Sequence, residues 1–151
     1  MEALEKPIEP YEIEWKIQSY TKEKTKTIIV PYITARCVFD RFDEAFGYNW
    51  KSSFKEINGG FICTLSIKVN DEWISREDGA DKTKIEPTKG GISDALKRAA
   101  HQFGLGRGLY AYPRIFIKGE HKFIPNDVKK RLDKMVEAIN NLEFNEPVVT
   151  L

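Results

Sequence analysis

The sequence predicts an α+β protein: a β-hairpin, a helix, a three-stranded antiparallel β-meander, a long helix and a helical C-terminal extension. Strand-like runs lie at 12–19, at 25–30 and between 50 and 77, the clearest of them alternating apolar and polar residues. Three other stretches carry apolar residues at helical spacing, and Gly, Asn or Pro stands where the runs meet. With 151 residues the chain has the usual size of one domain, so a single domain over 1–151 is expected.

Residues 12–19 read EIEWKIQS, where Ile13, Trp15 and Ile17 alternate with polar neighbours. TKTIIV follows at 25–30 across the polar turn Thr21-Lys22-Glu23-Lys24, which predicts a hairpin. From Ile33 the period changes. Ala35, Val38, Phe42 and Ala45 or Phe46 share one helical face, and Gly47 stands where a left-handed residue ends a helix. Trp50 to Ile57, Gly60 to Val69 and Trp73 to Glu77 read as three strands, joined by Asn58-Gly59-Gly60 and Asn70-Asp71-Glu72, residue types that tolerate positive φ. In the middle strand Phe61, Cys63, Leu65, Ile67 and Val69 fall on one face.

After a lysine-bearing loop, Ile92, Leu96, Ala99 and Phe103 form the stripe of a second helix, closed by Gly104. LYAYPRIFI, from Leu109, reads as a further strand, and Pro125 opens a last helix with Val128, Leu132, Met135, Ile139 and Leu142. The core is therefore expected over about 11–118, a C-terminal helix over about 125–142 and a loose tail over 143–151, where a proline stands and no period holds.

Composition excludes several classes. Hydrophobic residues at 41% and charged residues at 31% suit a folded soluble domain and not a disordered chain. No apolar run approaches the ~20 residues of a membrane helix, and MEALEKPIEP lacks the order of a signal peptide, so a cytoplasmic protein away from membranes is expected. Cys37 and Cys63 have no spacing of a disulfide framework or zinc site and read as reduced, buried residues. No metal or other cofactor is expected, and without a G-x-x-x-x-G-K-[ST] run nucleotide hydrolysis has no visible seat.

The formal net charge is only +1, yet residues 82–118 hold eight Lys or Arg against two acids, Glu86 and Asp94. Attraction to phosphate is set within a Debye length of ~8–10 Å, so a local basic surface matters more than the total. The richest stretch is GGISDALKRAAHQFGLGRGLYAYPR at 90–114. On its helix Lys97 and Arg98 flank the apolar stripe, and Asp94 reaches both at i+3 and i+4. Spacing leaves two readings open, a solvated face with intrahelical pairs or a phosphate clamp with a bidentate Arg and a mobile Lys. Glycines at 104, 106 and 108 follow a helix and suit a C-cap and tight turn better than a dinucleotide loop.

Three blocks, YITARCVFDRFDEAFGYNW at 32–50, FICTLSIKVNDEWISREDGAD at 61–81 and KGGISDALKRAAHQFGLGRGLY at 89–110, resemble the single-strand annealing proteins of the Rad-fifty-two superfamily, including the Sak type of phage recombinase. They occur in the family's order, and the hairpin before them also fits. The resemblance implies a homo-oligomeric ring whose groove holds single-stranded DNA by its backbone, so that exposed bases test a second strand without ATP. It implies that Lys97 and Arg98 lie in the DNA groove, and that Arg36 lies beside a family position with a backbone contact, one residue out of register. Lys82, Lys84 and Lys89 match a basic loop of the family more loosely, and Arg107 is read as touching DNA or a neighbouring subunit. Such a protein is expected to act in recombination and double-strand break repair as a non-enzyme, nucleoid-associated in a bacterium or phage. A single-strand-binding protein or a recombinase is the further partner class this raises.

Two other readings are weighed. Glu77, Asp78, Asp81 and Glu86 with Lys89 suggest a metal-dependent nuclease or resolvase, against a solvated acidic turn. A plain oligomeric single-strand-binding module without annealing is the third. Tyr48, Trp50, Tyr110 and Tyr112 are candidates for base stacking, with core packing favoured for Trp50.

Overall fold

The computed structural model describes residues 1–151. In chain order they form α1 (Glu2–Glu5), β1 (Ile13–Tyr20), β2 (Lys26–Ile33), α2 (Ala35–Phe46), β3 (Trp50–Ile57), β4 (Gly60–Val69), β5 (Glu72–Asp81), α3 (Pro87–Gln102), β6 (Arg114–Lys118), α4 (Asn126–Asn140) and β7 (Val148–Thr150). The chain is thus α+β, as expected. It divides into two compact units, Pro7–Ile33 with Gly108–Leu151, and Met1–Lys6 with Thr34–Arg107.

The first of these units holds a sheet in the order β1-β2-β6-β7. The predicted hairpin is present from Ile13↔Ile33 to Tyr20↔Thr27, with a bulge between Ile17 and Ser19. Antiparallel β6 then joins β2 from Lys26↔Lys118 to Ile29↔Ile115. Ile29, Ile115 and Ile117 face Val128, Leu132 and Met135 of α4, the regular stripe seen in the sequence. Buried Thr27 donates to the Gly119 carbonyl at 2.8 Å and accepts from the His121 N–H at 3.0 Å, so its hydroxyl carries no desolvation penalty.

Three expectations for this unit are corrected. The tail is not loose: β7 pairs in parallel with β6 from Arg114↔Val148 to Phe116↔Thr150, and Leu151 both donates to Phe116 and accepts from Lys118. Three residues are too few to show a period, and their partner lies over thirty positions earlier. The strand read from Leu109 begins only at Arg114; Arg107–Ala111 is a 3-10 turn, and Pro113 has no N–H to give a sheet. The last helix stops at Asn140, because Leu142 turns left-handed (φ 59°) and stands 92% exposed.

In the other unit β3, β4 and β5 form the predicted meander. Asn70 and Asp71 both take positive φ (51° and 64°), the two-residue turn whose twist matches that of the strands. Phe61, Cys63, Leu65 and Ile67 are buried beneath α3, while Val69 at the hairpin end is exposed. Thr34 caps α2 by accepting from the Cys37 N–H at 3.1 Å, and Cys37, Val38 and Phe42 are buried. Both cysteines are free and buried, and burial, with the Asp78 charge second, pushes the Cys63 thiol up to about 11.

Two bounds move here. Strand β5 runs on through the acidic turn to Asp81, and α3 starts at Pro87, so Lys89 and the Gly90-Gly91 pair lie on the helix and not in a loop. Proline at the first helical position fits, since its missing N–H is one that a helix start leaves unbonded. The glycines are there for proximity: a Cβ on Gly91 would stand 2.7 Å from the buried Phe61 ring, and one on Gly90 2.0 Å from Thr83 Oγ1. Gly→Ala inside a helix ordinarily stabilises by ~1 kcal/mol, but overpacking costs ~1–3 kcal/mol, so the clash wins at this site. Gly91→Ala is therefore expected to lower the unfolding free energy, and a thermal melt equal to or above that of the parent protein would contradict the close helix-on-sheet contact.

Candidate nucleic-acid interface

Helix α3 packs against β4, β5 and α2, and that three-sided contact sets which of its cations face out. Gly91, Ala95, Leu96, Lys97, Ala99 and Ala100 are buried. Arg98 lies outside this arc with its side chain 61% exposed, and its Nε donates to Asp78 Oδ1 on β5 at 3.0 Å. Asp78 is itself fixed: Oδ1 accepts from the Gly79 N–H at 2.8 Å and Oδ2 from Gln102 Nε2 at 3.2 Å. The guanidinium is therefore held by its inner nitrogen, and its two Nη groups, the fork suited to a phosphate, make no hydrogen bond or ion pair of their own.

Lys97 does not share this setting. Its side chain is only 8% exposed, and Nζ meets Asp94 Oδ1 at 3.3 Å. The spacing expectation put both residues of the pair at the rim of the buried stripe; in the folded chain the buried arc runs from Ala95 through Lys97 and leaves Arg98 outside it. Arg107 donates to the carbonyls of His101 (2.7 Å) and Gln102 (2.9 Å), closing the end of α3 where unbonded carbonyls and the helix dipole favour a cation. Gly104 follows with φ 103°, as a C-cap glycine does.

The remaining predicted cations are scattered over exposed positions of the same unit. Lys82 pairs with Glu56 at 2.5 Å, Lys89 with Glu86 at 3.8 Å, Lys84 makes no ion pair, and Arg36 is exposed on the first turn of α2. Two arginines escaped the sequence reading. Arg76 of β5 shares a face with Asp78, and its guanidinium lies 5.7 Å from the Phe103 ring beyond the end of α3. Its place in the alternation of β5 was the signal available. Buried Arg41 donates to the Ala3 and Lys6 carbonyls at 2.7 and 3.0 Å and ties α1 to α2, a structural use that no spacing announces.

Burial raises the Asp78 carboxyl, but the Arg98, Gly79 and Gln102 hydrogen bonds outweigh it and leave the group below the ordinary carboxylate range. Burial lowers His101, and the charges of Arg107 and Arg98 lower it further, against the hydrogen bond that Nδ1 makes to the Leu105 carbonyl and the Asp78 charge. For a group depressed in the folded state, stability is complete above its unfolded pKa and is lost as pH falls through its folded value. The His101 contribution thus goes first, below its unfolded value of ~6.5, and that of Asp78 only below ~3.9. Urea midpoints are expected to drop between pH 7 and pH 5, and His101→Gln, which keeps a donor for Leu105, is expected to flatten that drop.

The acidic residues do not converge. Glu77 and Asp78 project to opposite faces of β5, where Glu77 accepts from Thr64 at 3.0 Å and Asp78 holds Arg98. No three carboxylate, imidazole or thiolate groups gather as a metal site. Among the aromatics, Tyr48 is fully exposed and Tyr110 largely so, whereas Trp50 packs edge-on to Phe42 at 5.6 Å and donates Nε1 to Asp43 at 2.8 Å. Tyr112 lies partly buried, its ring 6.4 Å from that of Trp15.

Comparison with known proteins bears on what this surface serves. The model of the Rad52/22 family double-strand break repair protein matches residues 1–68 and 62–127. The chain belongs to the Rad52/22 family. The matched residues of this Rad52/22 chain take in all of α1 to β6 and every cation named above at positions 36, 82, 84, 89, 97, 98 and 107, leaving most of α4 and β7 outside. The single-stranded DNA-binding protein DdrA of Deinococcus radiodurans is 30% identical over 113 residues, 74% of this chain and 54% of that protein. DdrA of Deinococcus deserti is 32% identical over 116 residues, 76% of this chain and 58% of that one. The chain thus spans a little over half the length of these curated relatives. No solved structure gives a significant match.

Proposed function

We propose that this Rad52/22 chain binds single-stranded DNA through its backbone and anneals complementary strands in recombination and repair, as one annealing domain over 1–151 that breaks no bond and uses no ATP. The observation that carries the proposal is Arg98: exposed, fixed by Nε on Asp78, with both Nη groups uncommitted. A guanidinium so held loses little freedom on meeting a phosphate. Arg76 and Arg107 lie along the same end of α3 and extend the positive strip, with Lys82, Lys84, Lys89 and Arg36 as further backbone contacts. Lys97 acts from inside, its charge reaching the strand through Arg98's surroundings and its ammonium reaching a phosphate only by leaving Asp94. The name single-stranded DNA-binding protein borne by both relatives supports the substrate class.

Backbone contacts give affinity without sequence preference and leave base edges to test a mate. Edge strands β3 and β5 of the meander each have one side unpaired, which supports assembly of copies edge to edge into a homo-oligomeric ring in the cytoplasm or on the nucleoid. A single-strand-binding protein or recombinase is the partner such coated DNA would meet. Mixing two complementary fluorescent oligonucleotides without ATP or metal tests the proposal. Accelerated duplex formation is expected; binding without acceleration reduces the protein to a plain binding module, and cleavage on adding magnesium replaces it with a nuclease.

A further inference from the structure

The face of the meander turned away from α3 carries charge and an aromatic surface that the α3 edge does not use. Directly paired residues of an antiparallel sheet share a face, so the register puts Lys51, Ser66 and Ser75 in one row and Lys68 with Trp73 in the next, opposite the buried Cys63 and Leu65. Trp73 is 43% exposed. Lys51 Nζ stands 4.2 Å from its ring centroid and Lys68 Nζ 6.0 Å, and neither lysine makes an ion pair. The acids of this face, Glu77 and Asp81, lie in later rows, Glu77 held by Thr64 and Asp81 at the far end of β5; Lys55 adds a third cation between them.

Two ammonium groups drawn to one exposed indole repel each other, and no carboxylate is ion-paired with either to offset that. The ring attracts a cation only weakly where water reaches it, whereas a stacked base covers its whole face. A ligand that brings an anion and a flat π-system together relieves the first and satisfies the second. A nucleotide of a single strand has both, and in a duplex the bases are already stacked on each other.

We infer that this outer sheet face is a second contact for single-stranded DNA, with a base on Trp73 and the neighbouring phosphates on Lys51 and Lys68. It goes beyond the α3 edge and does not depend on it. The lysines leave the ring for the phosphates as the base arrives, so binding registers in the indole itself.

Tryptophan emission on adding an oligo-thymidine strand at low salt tests this, Trp15 and Trp50 being the other two tryptophans. Quenching is expected in the parent protein and lost for the most part in Trp73→Phe. Lys51→Glu with Lys68→Glu is expected to weaken binding several-fold and to lower the salt slope by about 1.4, two phosphates at ~0.7 each. Where circular dichroism shows that pair unfolded, Lys51→Gln with Lys68→Gln replaces it with the same expected direction. In Arg98→Ala the Trp73 quench is expected to persist at reduced affinity; no effect of Arg98→Ala together with loss of quench in Trp73→Phe would fell the α3 reading and leave this one standing. Full quenching in Trp73→Phe, parent-like binding by the lysine variants, or a changed particle mass in light scattering with DNA binding intact would overturn it, the last by making the face a contact between copies.

Discussion

Phe42→Ala lowers the unfolding free energy by about 3–5 kcal/mol, the cost of emptying a fully packed aromatic site. Phe42 is fully buried, and its ring lies 5.5 Å from Phe46, 5.6 Å from Trp50 and 5.9 Å from Phe103, so one side chain locks α2 to β3 and to the end of α3. Such a loss is a large part of the ~5–15 kcal/mol that holds a domain together. Because Phe103 directly follows Gln102, which orients Asp78, the same variant is expected to loosen the Arg98 fork and weaken DNA binding beyond what partial unfolding accounts for. Urea denaturation followed by circular dichroism reads the first effect. A change under ~1 kcal/mol would mean that the site collapses around the gap and that α3 is held by other contacts.

Lys97→Ala with Arg98→Ala is the second large effect. Charge-assisted hydrogen bonds contribute ~1.5–3 kcal/mol, so losing one phosphate contact weakens binding about tenfold to a hundredfold. Each lost phosphate contact takes ~0.7 from the slope of log affinity against log salt for a single strand, so the double variant loses at least that much through Arg98. The singles are expected to differ. Arg98→Ala carries most of the affinity loss, being the exposed residue, while Lys97→Ala shows mainly in stability, since it takes the ion-pair partner from half-buried Asp94. A fluorescence-anisotropy titration at several salt concentrations separates them, and an unchanged slope in the folded double variant would remove the pair from the DNA surface.

What the sequence made legible follows from which interactions are local. Ile13, Trp15 and Ile17, the Asn70-Asp71 turn and the Phe61-to-Ile67 alternation announced hairpin and meander through neighbours in the chain, and Val38 with Phe42 announced α2. Pairing of β7 with β6 was invisible because Val148–Thr150 has no period of its own and takes its place only from a distant strand. Helix α3 was begun too late because Gly90-Gly91 argue against helix by propensity, and the close approach to Phe61 that they permit is tertiary. The α3 cations are legible by type and by resemblance, but the split between Arg98 outside and Lys97 inside is a matter of tertiary packing that helical spacing does not contain, and Arg76 needs the β5 register. Asp78, read as one of a cluster of acids, is instead the anchor of Arg98.

The most direct test of the whole account is retention of a fluorescent oligo-thymidine strand by the intact protein across a salt series. Tight retention at low ionic strength, falling linearly in log affinity against log salt and shared by strands of any sequence, is the predicted result. No retention at the lowest salt, with the protein folded, would contradict it.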